Sequence, residues 1–398
     1  MINNLLIYRS LLEDKLISAT QRLITDLKQQ NKDGTKLQND FSEIISQLLE
    51  FGFKYNLRDS LWKNYIIHLV IEDENIFSLS CEKENNKRDT AIEMVVKRDL
   101  LILSEFAHID WDIIASKLKI EPLSFLNASQ KDNIAIDDII NKLARYYYEN
   151  GCGMMGKYRA FRWEDGLKGI ENPDNIRLKD LIGYEEQKKI LKENTEGFLE
   201  GKSANNVLLF GDRGTGKSSS VKALLNEYAH RGLRLIELNK NQLIDFNKII
   251  SLIRNRNRYF IIFMDDLSFE EFEIEYKHMK AVIEGGIEKK PDNVLIYATS
   301  NRRHLIKETW NDRQNTEEIH ISDSVQEKIS LADRFGISIT YISPSQEEYL
   351  KIVEGLAAKH QIDIPREELR KKALQWEMWH NGRSGRTARQ FIDYISGK

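Results

Sequence analysis

The run Gly211-Asp212-Arg213-Gly214-Thr215-Gly216-Lys217-Ser218 constrains this chain more than any other stretch. It satisfies G-x-x-x-x-G-K-[ST] and lies between an apolar β-rich run, Val207 to Phe210, and a helical pattern from Ser219 to Tyr228. In that setting the glycines let the backbone curl so that successive N–H groups face one point, and the helix N-terminus adds a dipole that favours an anion. The pattern predicts a phosphate-binding loop over Gly211 to Ser219, with Lys217 reaching the β- and γ-phosphates of a nucleotide and the Ser218 hydroxyl ligating Mg²⁺. A chance glycine turn is the competing reading, and the flanking strand and helix disfavour it.

Such a loop needs a second carboxylate at the end of a buried strand to organise the metal. Phe260-Ile261-Ile262-Phe263-Met264-Asp265-Asp266 supplies one. Asp265 is the expected Mg²⁺ partner, through water, and Asp266 stands where many ATPases place the glutamate that orients the attacking water. Aspartate is one methylene shorter, which predicts slow hydrolysis unless Glu270 or Glu271 assists.

Beyond residue 172 short apolar runs alternate with helical patterns: Val207 to Phe210, Arg234 to Leu238, Tyr259 to Met264, Val294 to Ala298 and Ser338 to Ile342. Strands alternating with helices predict an α/β fold, a parallel sheet covered by helices. Ser343, Pro344 and Gln346 then read as an N-cap, a first helical residue and a capping-box partner, opening a small helical lid that runs to Lys398. The earlier part of the chain differs. Pro122 is its one proline before residue 173, and the apolar stripes Leu12, Leu16, Ala19, Leu23, Leu27 and Ile139, Ile140, Leu143, Ala144, Tyr147 have helical spacing. We therefore expect a helical N-terminal domain over residues 1–150, a linker or hinge over 151–175 around Gly151, Gly153 and Gly156, a nucleotide-binding core over 176–342, and a lid over 343–398.

Charge and cysteine content bound the alternatives. With 398 residues, Lys+Arg 59 and Asp+Glu 62 give a net charge of -3, so there is no general attraction for nucleic acid or anionic membrane. Arg254, Arg256 and Arg258, and Arg302-Arg303-His304, are local basic groups that read as solvated loop edges, because no aromatic residues interleave them. Cys81 and Cys152 have no metal-ligand spacing and read as buried or inert thiols of a reducing compartment. The eight dispersed histidines give a structural metal site no support. Arg9, Glu13 and Asp14 interrupt the apolar start, and no stretch approaches the ~20 apolar residues needed to span a bilayer, so a soluble, cytoplasmic protein with no membrane partner is expected.

From residue 176 onward the sequence resembles the AAA+ ATPase superfamily, whose pieces follow in order. The glycine run and the Asp265-Asp266 strand correspond to its Walker A and Walker B motifs. Ile176 to Glu185 resembles the segment that wraps adenine, which implies Ile182 and Tyr184 as base contacts. Tyr297-Ala298-Thr299-Ser300-Asn301-Arg302 is similar to the strand-end sensor, with Asn301 holding water near the γ-phosphate. Leu331-Ala332-Asp333-Arg334-Phe335-Gly336 resembles the box carrying the arginine finger, which implies that Arg334 serves the active site of a neighbouring subunit and that the protein works as a homo-oligomer. A local salt bridge is the plainer role for Arg334. Ser384 to Phe391 looks like the second sensor, with Arg386 as its arginine and Arg389 as the substitute. Within the superfamily, Asn206 to Asn226, Phe260 to Glu271 and Asp292 to Leu305 resemble a bacterial ATP-binding family of the domain-of-unknown-function type (number 815), which has a variable helical N-terminal region.

The resemblance implies a Mg²⁺-dependent ATPase, cycling between ATP and ADP. Its N-terminal domain would hold an unidentified protein or nucleic-acid partner. Protein unfolding is disfavoured, since no aromatic-apolar-glycine tripeptide lies between Leu238 and Tyr259; the Asp265-Asp266 pair and the Arg334-Phe335 box favour a switch that assembles on ATP, by analogy with initiators and helicase loaders. The alternative is a nucleotide-gated binding module with negligible turnover. A P-loop kinase leaves the arginine-bearing lid unexplained, and Asn239 to Gln242 lacks the aspartate that would read guanine. Acidic residues 312–327 read either as a partner contact or as a loop.

Overall fold

The computed structural model describes residues 2–29, 34–84, 89–127, 135–268, 279–280, 282–283, 290–301, 334–380 and 382–397. They fall into two compact units, Met1–Lys157 and Tyr158–Lys398.

The first unit is helical: α1 (Lys15–Gln29), α2 (Gly34–Tyr55), α3 (Leu61–Glu72), α4 (Ile76–Lys83), α5 (Thr90–Ala107), α6 (Trp111–Lys117), α7 (Ile136–Asn150) and the single turn α8 (Met154–Lys157). The caps follow from the sequence. Asn75 Oδ1 accepts from the N–H groups of Phe77 and Ser78 to start α4, and Asp89 and Asp110 do the same for α5 and α6. Gly151, at φ +92°, ends α7. In the core, Trp62 packs edge-on against Phe106 and Trp111 at 5.3 and 5.4 Å, and its indole N–H donates to the Phe106 carbonyl. Two buried carboxylates hold backbone in place. Asp99 Oδ2 accepts the N–H groups of Leu6, Ile7 and Tyr8, and Glu82 Oε2 accepts from both N–H and Sγ of Cys152. Cys81 and Cys152 are both buried free thiols.

Residues 151–175 do not form the expected linker. Gly151 to Lys157 belongs to the first unit, and the chain then forms two strands, β1 (Ala160–Trp163) and β2 (Leu167–Gly169), that extend the sheet of the second. Phe161 and Trp163 are buried on alternate positions of β1, a period-two signal too short to stand out beside the glycines.

The second unit is built on a seven-stranded sheet with β3 (Val207–Gly211), β4 (Leu233–Glu237), β5 (Tyr259–Met264), β6 (Val294–Ser300) and β7 (Ile337–Tyr341), in the order β2-β1-β4-β5-β6-β3-β7. Every pairing except β1 with β2 is parallel. All seven residues of β6 and five of the six in β5 are buried, as expected for strands covered on both faces. Helices α9 (Glu185–Leu199), α10 (Lys217–Tyr228) and α11 (Phe246–Ile253) accompany the sheet, and α12 (Gln346–Lys359), α13 (Arg366–Trp379) and α14 (Gly385–Ser396) form the lid around Tyr349, Val353 and Phe391. This is an α/β fold, a largely parallel sheet accompanied by helices and a helical lid, and the first unit is mainly helical. Among the described residues no helix is long and apolar enough to cross a membrane.

The lid opens two residues later than the Ser343 cap predicts. Ser345 caps α12, accepting from Glu348 N–H while the Glu348 carboxylate accepts from Ser345 N–H. The N–H of Ser343 has a different use, donating to Asp212 Oδ2 at 2.7 Å.

Candidate nucleotide site

The strand order sets the site. In a parallel sheet all C-terminal strand ends lie on one edge, and the neighbours β5, β6 and β3 bring Asp265, Asn301 and the glycine loop together there. Gly211, Gly214 and Gly216 all have positive φ, at +128°, +75° and +96°. A Cβ on Gly211 would collide with the backbone carbonyl of Tyr341, and one on Gly214 would lie 2.9 Å from Ser384 Oγ. Glycine is required at both positions by conformation and by space. The lid reaches the loop through its backbone, the Arg386 N–H donating to the Gly214 carbonyl at 3.1 Å.

Lys217 is 6% exposed and donates to the carbonyls of Gly211 (2.8 Å) and Asp212 (2.6 Å) and to Asn301 Oδ1 (3.2 Å). Burial holds its ammonium below the usual lysine pKa, against the opposing pull of Asp212, Asp266 and Asp265. Ser218 Oγ donates to Asp265 Oδ1 at 2.5 Å, and Asn301 Nδ2 donates to Asp266 Oδ1 at 2.5 Å. Asp212 lies below the usual carboxylate range because Ser343 hydrogen-bonds it. Asp266 has a left-handed backbone, φ +51°, which turns its carboxylate toward Asn301.

Lys217, Ser218, Asp265, Asp266 and Asn301 line one cleft of ≈ 1010 Å³. Of the residues expected from the sequence, Ile182, Tyr184, Arg213 to Ser219, Asp265, Asp266, Asn301 and Arg386 line it; Gly211 and Asp212 are not among its lining residues. Tyr184 stacks on Tyr341 with ring centroids 5.0 Å apart and donates to the Ile342 carbonyl, and burial pushes its phenol up to about 12. Ile182 lies against Gly355 of α12, so the segment before α9 and the lid share a wall. Arg334 is half-buried just before β7 and is not among the cleft-lining residues. Glu270, Glu271, Arg302, Arg303, His304, 312–327 and Leu331 to Asp333 lie outside the described residues.

Three features of the cleft go beyond the motifs. Thr299, two residues before Asn301 and on the same strand face, hydrogen-bonds Asp265 and the backbone of Asp266. Lys359 of α12 donates to Asp180 at 2.6 Å, joining the lid to the segment before α9. Ile352 and Leu356 add apolar lining. Period-two alternation was a signal for Thr299; the lid contacts are tertiary and had none.

Ser218 and Asp265 offer only oxygen donors, the ligand type Mg²⁺ takes, and Mg²⁺ sites of this kind are completed by water and substrate phosphate. Among the described residues no group of three or more His, Cys, Asp or Glu could hold a metal by itself. The donor set therefore fits a metal that arrives with a phosphate ligand.

Residues 156–398 match the model of a family described as "Protein of unknown function (DUF815)". No curated protein matches. Among solved structures, a point mutant of RuvB from Thermotoga maritima is 17% identical with a TM-score of 0.40, covering 56% of this chain and 65% of that one. The Thermotoga maritima RuvB Holliday junction branch migration motor is 15% identical with a TM-score of 0.34, covering 55% and 72%. The chain thus spans just under two thirds of the first of these, and both likenesses are too distant to carry chemistry.

Proposed function

The chain belongs to the DUF815 family by its match over residues 156–398, and on that premise we propose that it is a Mg²⁺-dependent AAA+ ATPase that works as an oligomer. The observation that carries the reading is the convergence of Lys217, Ser218, Asp265, Asp266, Asn301 and Arg386 on one cleft at the C-terminal edge of the sheet. Residues of the loop Gly211 to Ser219 hold the phosphates through backbone N–H groups, and Lys217 exchanges its three oxygen partners for β- and γ-phosphate oxygens. Ile182 and Tyr184 flank the adenine. Ser218 and Asp265 hold Mg²⁺, which when bound neutralises charge between the β- and γ-phosphates. Asp266 orients the attacking water, Asn301 positions that water near the γ-phosphate, and Arg386 reads phosphate occupancy from the lid.

Arg334 stabilises transition-state charge in a neighbouring subunit; its absence from the cleft of its own chain supports that assignment. The helical first unit, which lies almost wholly outside the family match, holds a protein or nucleic-acid partner. A second reading, a nucleotide-gated module with negligible turnover, is favoured by the bond from Asn301 to Asp266, which engages the carboxylate that hydrolysis needs.

Equilibrium titration with ATP and steady-state turnover test the assignment together. Arg334→Ala is expected to keep ATP affinity within about twofold of the wild type and lower turnover by about 10³-fold. Equal loss of binding and turnover would sink the finger role. Tight ATP binding with no wild-type turnover under assembling conditions would favour the gated module.

A further inference from the structure

From the geometry at the end of β6 we infer that Thr299 is a positioning residue that sets the Asp265 carboxylate for Mg²⁺. The inference rests on the Mg²⁺–ATP reading above. Thr299 is 1% exposed, and its hydroxyl is used in both senses: Oγ1 donates to Asp265 Oδ1 at 2.6 Å and accepts from the Asp266 N–H at 2.9 Å. Its carbonyl also accepts from Leu267 N–H at 2.7 Å. One residue thus holds three successive positions of the neighbouring strand end, across a backbone that turns left-handed at Asp266, φ +51°. A non-glycine residue in that conformation persists where its surroundings over-determine it.

The consequence is a division of labour within one carboxylate. Asp265 Oδ1 receives Thr299 Oγ1, Ser218 Oγ and, at 3.2 Å, the Asp266 N–H, whereas Oδ2 takes no hydrogen bond from the described residues. Oδ1 is the oriented oxygen, and its bonds fix the carboxylate that would hold Mg²⁺. Partners of this kind, one step removed from a ligand, fix its rotamer, and their loss typically costs metal affinity about 10–100-fold. The role requires a group that is donor and acceptor at once: serine retains it, and valine, of nearly the same shape, loses both functions.

The test is ADP affinity of the full chain, measured in Mg²⁺ and again in EDTA, for the wild type, Thr299→Val and Thr299→Ser. Thr299→Val is expected to keep its EDTA affinity and to lose about tenfold of the gain that Mg²⁺ confers, with Thr299→Ser within about twofold of the wild type. An undiminished Mg²⁺ gain in Thr299→Val would overturn the inference, as would a parallel fall in both conditions, which marks a purely structural role. Should Thr299→Val not fold, loss of the Mg²⁺ gain in folded Thr299→Ser overturns it equally. A wild type that binds ADP with no gain from Mg²⁺ would instead overturn the Mg²⁺–nucleotide reading, and the inference with it.

Discussion

Buried polar side chains play opposite parts in the two units. In the first, Asp99 and Glu82 accept backbone N–H groups of distant segments, those of Leu6, Ile7 and Tyr8 and that of Cys152, beside the side chains of Arg98 and Cys152. Those bonds fix the path of the chain. In the second, the buried Lys217 is held by loop carbonyls and by Asn301, and Ser218, Asp265, Thr299 and Asp266 hold one another at the edge of an open cleft. On the proposed nucleotide reading such bonds are exchangeable, because an incoming phosphate would offer better acceptors to the same ammonium. Side-chain polarity thus serves stability where its partner is backbone of a distant segment and, on the proposed reading, chemistry where its partners can be replaced.

The largest effect that sharpens this contrast is expected at Asp99. Asp99→Ala removes the common acceptor of three N–H groups and should destabilise the first unit by about 3 kcal/mol, read by denaturant unfolding, with nucleotide affinity unchanged. A variant as stable as the wild type would break the comparison on its structural side.

The legibility of the two units follows the same division. The loop Gly211 to Ser218 and the Asp265-Asp266 strand end were readable because backbone chemistry fixes residue type at fixed spacing, and the five strands from Val207 onward were readable from their apolar runs. The helical character of the N-terminal region followed from its stripes, but the buried carboxylates Asp99 and Glu82 left no trace, since their partners lie 70 to 93 residues away. Strands β1 and β2 were missed for a related reason: each is short, and β2 has no buried residue, so tertiary pairing decides their state. The lid cap fell on Ser345 rather than Ser343 because Asp212, distant in sequence, claims the Ser343 N–H.

The next effect is on the chemical side. Lys217→Ala is expected to weaken ATP binding about 100-fold, or roughly 2.7 kcal/mol, while thermal unfolding without nucleotide shows little loss of stability. Burial already disfavours the Lys217 ammonium, so its removal relieves a cost as well as breaking bonds. A large loss of nucleotide-free stability would show that its bonds are structural rather than exchangeable.

The smallest effect concerns the bridge from the lid to the cleft. The hydrogen bond from Lys359 holds the Asp180 carboxyl below its usual range. A depressed carboxylate contributes stability that is present above its unfolded value and lost as pH falls through the folded one. Asp180→Asn should therefore cost about 0.5 kcal/mol at neutral pH, given the solvent around Lys359, and the melting curves of variant and wild type should converge as the pH falls through the depressed Asp180 pKa. A gap that persists in acid would mean that Asp180 acts by shape rather than charge.

The most direct test of the account is ATP turnover per subunit as a function of protein concentration, with Lys217→Ala as the control. The account predicts Mg²⁺-dependent hydrolysis that rises with concentration as subunits meet and vanishes in the variant; a wild type that neither binds nor hydrolyses ATP at any concentration would contradict it.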